Sequence, residues 1–352
     1  MAPRSVIDKG GRAGVRGSRR YEPAQAGRDD APPEPWTRPD SAPESAQPGT
    51  VVRSYGKFFD VRLRGDQRTL LSTTRGSLRR RRLRTDLVAV GDRVWVTDIG
   101  SDEGQIEAVE PRSRVLSRLA RNTDDIEQVI LANPDQALFM FSVSHPQPHR
   151  RMLDRFLLLA ESRGLPAMIA INKIDLTTAD GGERDAATSL FEDYRAIYPV
   201  FFLSVRDRSG IEPVLDRLRG RVTVVAGPSG VGKSSFLNLL DPTRERVIGE
   251  ISEATRKGRH TTTATVLYEI EPGTFVADTP GIRALAVHDI PLTELDSLYP
   301  EMRPFLGGCF YPDCTHRSEP GCAVRDAVSG GPISRERYES YLSLRSGVQE
   351  EL

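Results

Sequence analysis

The sequence predicts a multi-domain protein: a small all-β barrel, then an α/β domain with a doubly wound parallel sheet, then a small α-helical domain built on a metal site. Three observations carry this. Short β-rich pieces broken by Gly and Asp turns fill Val51 to about Arg114. Buried strands then alternate with amphipathic helices from Gln136 onward. All three cysteines, Cys309, Cys314 and Cys322, crowd into one segment near the C-terminus.

The length of 352 residues is enough for two or three domains, each with its own core. The formal net charge is zero, so any nucleic-acid surface must come from a local patch rather than a global field. No apolar run approaches a membrane span, and the N-terminal MAPRSVIDKGG lacks the apolar core of a signal peptide. A cytoplasmic protein is expected, and an odd cysteine count in a reducing compartment argues for metal rather than disulfides.

Residues 1–49 are rich in Pro, Gly, Ala, Arg and Asp without apolar periodicity, and read as a disordered tail. Its Arg12, Arg16, Arg19 and Arg20 are nearly balanced by acids over the whole tail. Residues 50–114 hold the barrel pieces VVRSYGKFFDVRL, QRTLLST, LVAVGDRVWVTD and GQIEAVEPR. Among them RGSLRRRRLR places six arginines between Arg75 and Arg84, and on a small barrel such a run suits a phosphate backbone.

The α/β segment opens with the strand Gln136 to Val143, the helix Arg150 to Arg163 and the strand Pro166 to Ile171. NKID follows at Asn172, Lys173, Ile174 and Asp175. A helix at about Glu183 to Ala196, the strand Tyr198 to Leu203 and a helix near Ile211 to Leu218 lead to Arg221 to Ala226, the strand before GPSGVGKS. That stretch has the G-x-x-x-x-G-K-[ST] spacing between a strand and a helix, which makes it a phosphate cradle. Its nucleotide-binding residues are Gly227, Ser229, Gly230, Val231, Gly232, Lys233, Ser234 and Ser235. Lys233 reaches the β- and γ-phosphates, and the Ser234 hydroxyl suits Mg²⁺.

NKID after a buried strand points to guanine. The Asp175 carboxylate accepts from both N1–H and the exocyclic amine, whereas adenine would leave it unpaired. Ser204 and Val205 follow the next strand and are placed to support the same base. Downstream, GRHTTT (Gly258 to Thr263) and DTPG (Asp278 to Gly281) read as two switches. One hydroxyl of the run Thr261 to Thr263, taken as that of Thr262, completes the Mg²⁺ shell with Ser234, Asp278 holds that shell, and the Gly281 N–H follows the γ-phosphate. Ile282 stands where many GTPases have a water-orienting Gln, so the catalytic role falls to His260. Cys309-x₄-Cys314-x-His316-x₅-Cys322 makes a closed Cys₃His zinc site, hence a structural one. The helix after it, Ser334 to Arg345, packs on the zinc loop and offers arginines to RNA or to the α/β core.

Guanine motifs ordinarily follow the phosphate loop, but here NKID and Ser204 precede it, so the order is rotated. That order, with AVGDRV, IEQVILANPDQ, LDRFLLLAE, KGRHTTT, DTPGIR and CFYPDCTHRSEPGCAV, resembles the circularly permuted GTPases called ribosome small subunit-dependent GTPase A, from about Val51 to about Arg345. The resemblance implies an OB-fold barrel (50–114) that contacts rRNA, a permuted P-loop GTPase domain (115–288) and a zinc-binding helical domain (289–352). It implies a GTPase stimulated by the small ribosomal subunit during late maturation, using Mg²⁺ with GTP and one structural Zn²⁺, and monomeric off the ribosome. Two departures stand out: Val205 where Ala is more usual, and Pro134 after Asn133. Two other readings fit the residues: an rRNA-docked placeholder whose affinity GTP tunes, and a permuted GTPase of the large subunit. The barrel and zinc site weigh against the latter.

Overall fold

A computed structural model describes residues 36–66, 68–76, 86–119, 127–177, 188–241, 265–278 and 291–347, all within the compact unit Pro32–Leu352. Strands β1 (Gln47–Tyr55), β2 (Phe58–Leu63), β3 (Thr69–Thr74), β4 (Arg93–Gly100) and β5 (Glu103–Val109) close a barrel in the order β1-β2-β3-β5-β4. Only β3 and β5 pair in parallel. Alternation along β2 explains the closure. Phe59, Val61 and Leu63 join Val51, Leu70, Val94, Val96 and Ile106 inside, while Phe58, Asp60 and Arg62 face out.

The sequence reading differs from the structure at two edges of the barrel. Leu87 to Val90 form a turn rather than a strand. The turn is closed by buried Asp92, which accepts from the Ala89 N–H at 2.7 Å and from Arg112 Nε and Nη2 at 2.7 and 2.8 Å. Residues 36–46, counted with the tail, lie on the barrel. Ala42 and Ala46 pack with Ala108 and Trp95. The Thr37 N–H and Trp95 Nε1 both donate to Glu110 at 3.1 Å, and Arg64 and Arg93 sit over the Trp36 ring at 5.7 and 5.5 Å. Trp36, Thr37, Ala42 and Ala46 thus tie a Pro-rich stretch to the barrel surface. Most of the arginine run, residues 77–85, lies outside the described residues.

After the ribbon β6 (Val115–Leu119) and β7 (Glu127–Ala132) come β8 (Gln136–Ser142), β9 (Ala167–Asn172), β10 (Val200–Phe202), β11 (Val222–Ala226), β12 (Val266–Glu271) and β13 (Thr274–Asp278). These six form one sheet in the order β10-β9-β8-β11-β13-β12, parallel except for β12. Every residue of β8 is buried, as a central strand requires. Helices α1 (Arg150–Ser162), α2 (Glu192–Arg195), α3 (Glu212–Leu218) and α4 (Lys233–Leu240) cover the sheet. One core holds Phe139 and Phe141 with Phe156 and Leu157 of α1. The other holds Leu138, Met140 and Val225 with Val214 and Leu218 of α3 and Phe236 and Leu237 of α4. Each such side chain contributes about 1.5–3 kcal/mol of burial. Of the helix expected at about Glu183 to Ala196, residues 178–187 lie outside the described residues; Thr188 and Ser189 are helical, but Leu190 and Phe191 form a turn that separates them from α2.

Val52 and Val90 of the barrel segment enter the core of the sheet, and polar contacts join the two as well. Asn133, in left-handed conformation at φ 51, accepts from the Ser113 N–H at 2.9 Å and donates to the Gly91 carbonyl at 3.1 Å. Arg62 of β2 pairs with Glu269 of β12, and β1 runs beside β12.

The C-terminal segment has 3₁₀ turns at Asp296–Leu298 and Arg303–Phe305, then helices α5 (Ala323–Gly330) and α6 (Arg335–Arg345). Ser334 caps α6 by accepting from the Arg337 N–H at 3.1 Å. Its core gathers Leu295, Tyr299, Met302, Val324, Ile333 and Tyr341, and Leu158 of α1 completes it. Of the two destinations open to the arginines of α6, Arg337 takes the α/β core, pairing with Asp154 and Glu301. No helix among the described residues is long and apolar enough to cross a membrane.

Candidate nucleotide site and metal centre

Both nucleotide motifs sit where strands of the parallel sheet end, which is where such sheets open a crevice. GPSGVGKS runs from β11 into α4, and NKID follows from the last residue of β9. Two glycines show how tightly the loop is built. Gly227 has φ +150, and a Cβ there would meet the Met140 carbonyl at 2.0 Å; Gly232 has φ +98, and a Cβ there would meet Asn172 Nδ2 at 2.3 Å. Lys233 Nζ donates to the Gly227 carbonyl at 2.9 Å and to that of Pro228, so the ammonium is held within the loop. Ser229, Gly230, Ser234 and Ser235 are exposed, the hydroxyls of Ser234 and Ser235 at the start of α4, while Val231 is buried.

Asn172 is 3% exposed. Its Nδ2 donates to the Val231 carbonyl at 2.8 Å, and its Oδ1 accepts from the Val205 N–H at 3.1 Å. The unusual Val205 therefore keeps its backbone contact. Ser204 Oγ donates to Asp175 Oδ1 at 2.7 Å, leaving Oδ2 facing exposed Arg206 at 3.9 Å. Arg206 was not anticipated; its only signal was its place two residues after Ser204. Lys173, at φ 67, sends Nζ to the His145 carbonyl.

Asp278 ends β13, in register with Val225 of β11, so its backbone stands beside the entrance to the phosphate loop. His260, Thr262 and Gly281 lie outside the described residues.

In the C-terminal segment the ligand atoms of Cys309, Cys314, His316 and Cys322 all lie within 4.8 Å of one another. Cys309 Sγ stands 3.9 Å from Cys322 Sγ, and His316 Nδ1 lies 3.5 and 3.4 Å from those two sulfurs. A tetrahedron with Zn–S of about 2.3 Å and Zn–N of about 2.0 Å has edges of about 3.8 and 3.5 Å, so the donor set fits zinc. Backbone N–H groups of Ala323 and Val324 offset burial and hold the Cys309 thiol below its ordinary value. Burial, with the neighbouring sulfurs, pushes Cys314 up to about 12.

Sequence reasoning missed Asp296. Its Oδ2 lies 3.2 Å from His316 Nε2, which fixes the ring so that Nδ1 faces the sulfurs. Burial opposes the imidazolium, but Asp296 and Cys322 favour it and raise His316 to about 9. Glu319 locks the loop by accepting from Thr315 N and Oγ1 at 2.7 and 2.5 Å and from Arg317 N at 2.8 Å. Tyr338 and Tyr341 of α6 donate to the carbonyls of His316 and Thr315 at 2.5 and 2.9 Å.

A family model described as RsgA GTPase matches residues 109–288. The small ribosomal subunit biogenesis GTPase RsgA of Gemmatimonas aurantiaca is 39% identical over 300 residues, covering 84% of this chain and 96% of that protein. The protein of the same name from Moorella thermoacetica is 38% identical over 301 residues, covering 85% and 97%. Among solved structures, YjeQ from Thermotoga maritima superposes with a TM-score of 0.71 at 31% identity, over 87% of this chain and all 100% of that one. YloQ, described as a circularly permuted GTPase, gives 0.69 at 28% identity over 90% and 100%. With NKID ahead of GPSGVGKS on one sheet and relatives matched over nearly their whole length, the chain belongs to the RsgA GTPase family.

Proposed function

We propose that this protein is a cytoplasmic GTP phosphohydrolase of small ribosomal subunit biogenesis, in which hydrolysis is coupled to conformational change and release from the maturing particle. The observation that carries this is the joint built by Asn172, which binds the phosphate loop at Val231 and the base-supporting loop at Val205, beside an Asp175 already oriented by Ser204. Asp175 reads guanine, Lys173 flanks it, and the GPSGVGKS loop with Lys233 holds the phosphates. The hydroxyls of Ser234 and Thr262, with Asp278 behind them, would hold Mg²⁺, which neutralises charge on the phosphates. The Gly281 N–H follows the γ-phosphate, and His260 orients the attacking water. Cys309, Cys314, His316 and Cys322 hold a structural Zn²⁺. The three domains divide at about residues 114 and 288. The barrel, extended by the arginine run from Arg75 to Arg84, contacts rRNA, and the chain works as a monomer off the ribosome.

The names carried by the relatives support this site of action. The test measures GTP turnover alone and with purified small or large subunits. Stimulation by small subunits alone supports the proposal; binding without stimulation would point to a placeholder. His260→Ala should abolish the stimulated turnover while GTP affinity persists, and unchanged turnover would remove His260 from its role.

A further inference from the structure

Arg337 is buried to 1% exposure, the largest fully withdrawn side chain among the described residues, and it carries a charge. Its guanidinium pairs with Asp154 of α1 and, through Nε at 2.7 Å, with Glu301. It lies over the rings of Tyr299 and Tyr194 at 4.7 and 5.3 Å, and the Tyr194 hydroxyl donates to Asp154 at 2.7 Å. Such a cluster holds its members in one arrangement, because breaking any link leaves the others charged or polar in a low dielectric.

The same seam continues along α1. Arg303 Nη2 meets Glu161 at 2.6 Å, and Ser334 Oγ donates at 2.9 Å to Asp193, which also pairs with Arg150. Leu158 enters the C-terminal core. Asp154, Leu158 and Glu161 follow helical spacing, so the C-terminal domain grips one face of α1 directly, and it reaches Arg150 at the start of the helix through Asp193.

The N-terminal end of α1 leads back to the nucleotide site. Residues 143–149 connect it to β8. In that loop the His145 carbonyl accepts from Lys173 Nζ, and Ser142 Oγ fixes the Pro146 carbonyl at 2.8 Å. Pro146 Cδ stands 3.6 Å from where a Cβ on Gly230 of the phosphate loop would be.

We propose that Arg337 is a positioning residue for the nucleotide site: by fixing α1 it sets the 143–149 loop against Lys173 and Gly230, so that seating of the C-terminal domain and retention of guanine nucleotide are linked. The proposal rests on the guanine site proposed above. Linkage is reciprocal, so bound nucleotide also steadies α6 on α1.

The experiment follows release of a fluorescent GDP analogue from the full-length, zinc-loaded chain, alongside amide exchange in α6. Arg337→Met should speed release about tenfold and quicken α6 exchange with zinc content unchanged; bound GDP should slow α6 exchange in the wild-type protein. An unchanged release rate in a folded Arg337→Met overturns the proposal. Should that variant not fold, Arg303→Ala, which removes the bridge to Glu161 together with the bond to the Ser297 carbonyl, decides: at least twofold faster release supports the proposal and an unchanged rate overturns it. Wild-type protein that retains no fluorescent GDP would instead sink the guanine-site reading.

Discussion

Asn172 Nδ2 donates to the carbonyl of Val231 at 2.8 Å, tying the end of β9 to the phosphate loop across 59 residues of chain. With the Val205 N–H on its Oδ1, one side chain aligns three separate segments. Asn172→Ala strands a buried acceptor and a buried donor, at about 1–3 kcal/mol each. Affinity for GTP and GDP should fall about 10- to 100-fold by titration, with zinc content unchanged. Full affinity would show that the joint is dispensable.

Asp175 keeps Ser204 on one oxygen and presents the other towards Arg206. Asp175→Asn replaces an acceptor by an amide donor, which suits the C2 carbonyl of xanthine rather than the amine of guanine. GTP binding should weaken by at least about 100-fold while xanthosine triphosphate binds more tightly than to the wild type. A variant that keeps its guanine preference would place the base elsewhere.

Gly232→Ala combines a left-handed φ of +98 with a Cβ only 2.3 Å from Asn172 Nδ2. The residue has to push Asn172 off Val231, so nucleotide affinity should drop at least about tenfold, and a melting scan should show a loss of about 1–3 kcal/mol. Normal binding by this variant would contradict the tightness of the loop.

Asp296→Ala removes the carboxylate that orients His316. Zinc affinity should fall about 10- to 100-fold in a competition titration with a chromophoric chelator. The pH dependence has a definite sign. Without metal, His316 holds its proton up to about 9 and Cys314 up to about 12, so zinc must displace protons to bind. Apparent affinity should therefore rise with pH between 6 and 8, roughly neutral conditions, and loading should acidify a weakly buffered solution. Loading without proton release would contradict a thiolate and imidazole donor set.

The parts of this protein written in local spacing were legible in its sequence. The phosphate loop, NKID and the cysteine cluster each depend on residues a few positions apart, and the parallel sheet on short apolar runs. What was not legible depends on distant partners. Arg337 reads as one charge among several on a polar helix, and only the approach of Asp154, 183 residues away, makes it a core residue. Asp296 is an ordinary acid in a 3₁₀ turn until His316 arrives 20 residues later. Trp36 sat in a stretch whose composition reads as disordered, because composition averages over the one side chain that anchors it.

The barrel's position also bears on solubility. β12 is the antiparallel edge of the six-stranded sheet, and an uncovered edge is a template on which a second chain can add a strand. With β1 alongside and Arg62 clasping Glu269, the barrel shields that edge. The barrel thus also guards against edge-to-edge self-association, and cutting it away would leave β12 open to strand addition by a second chain.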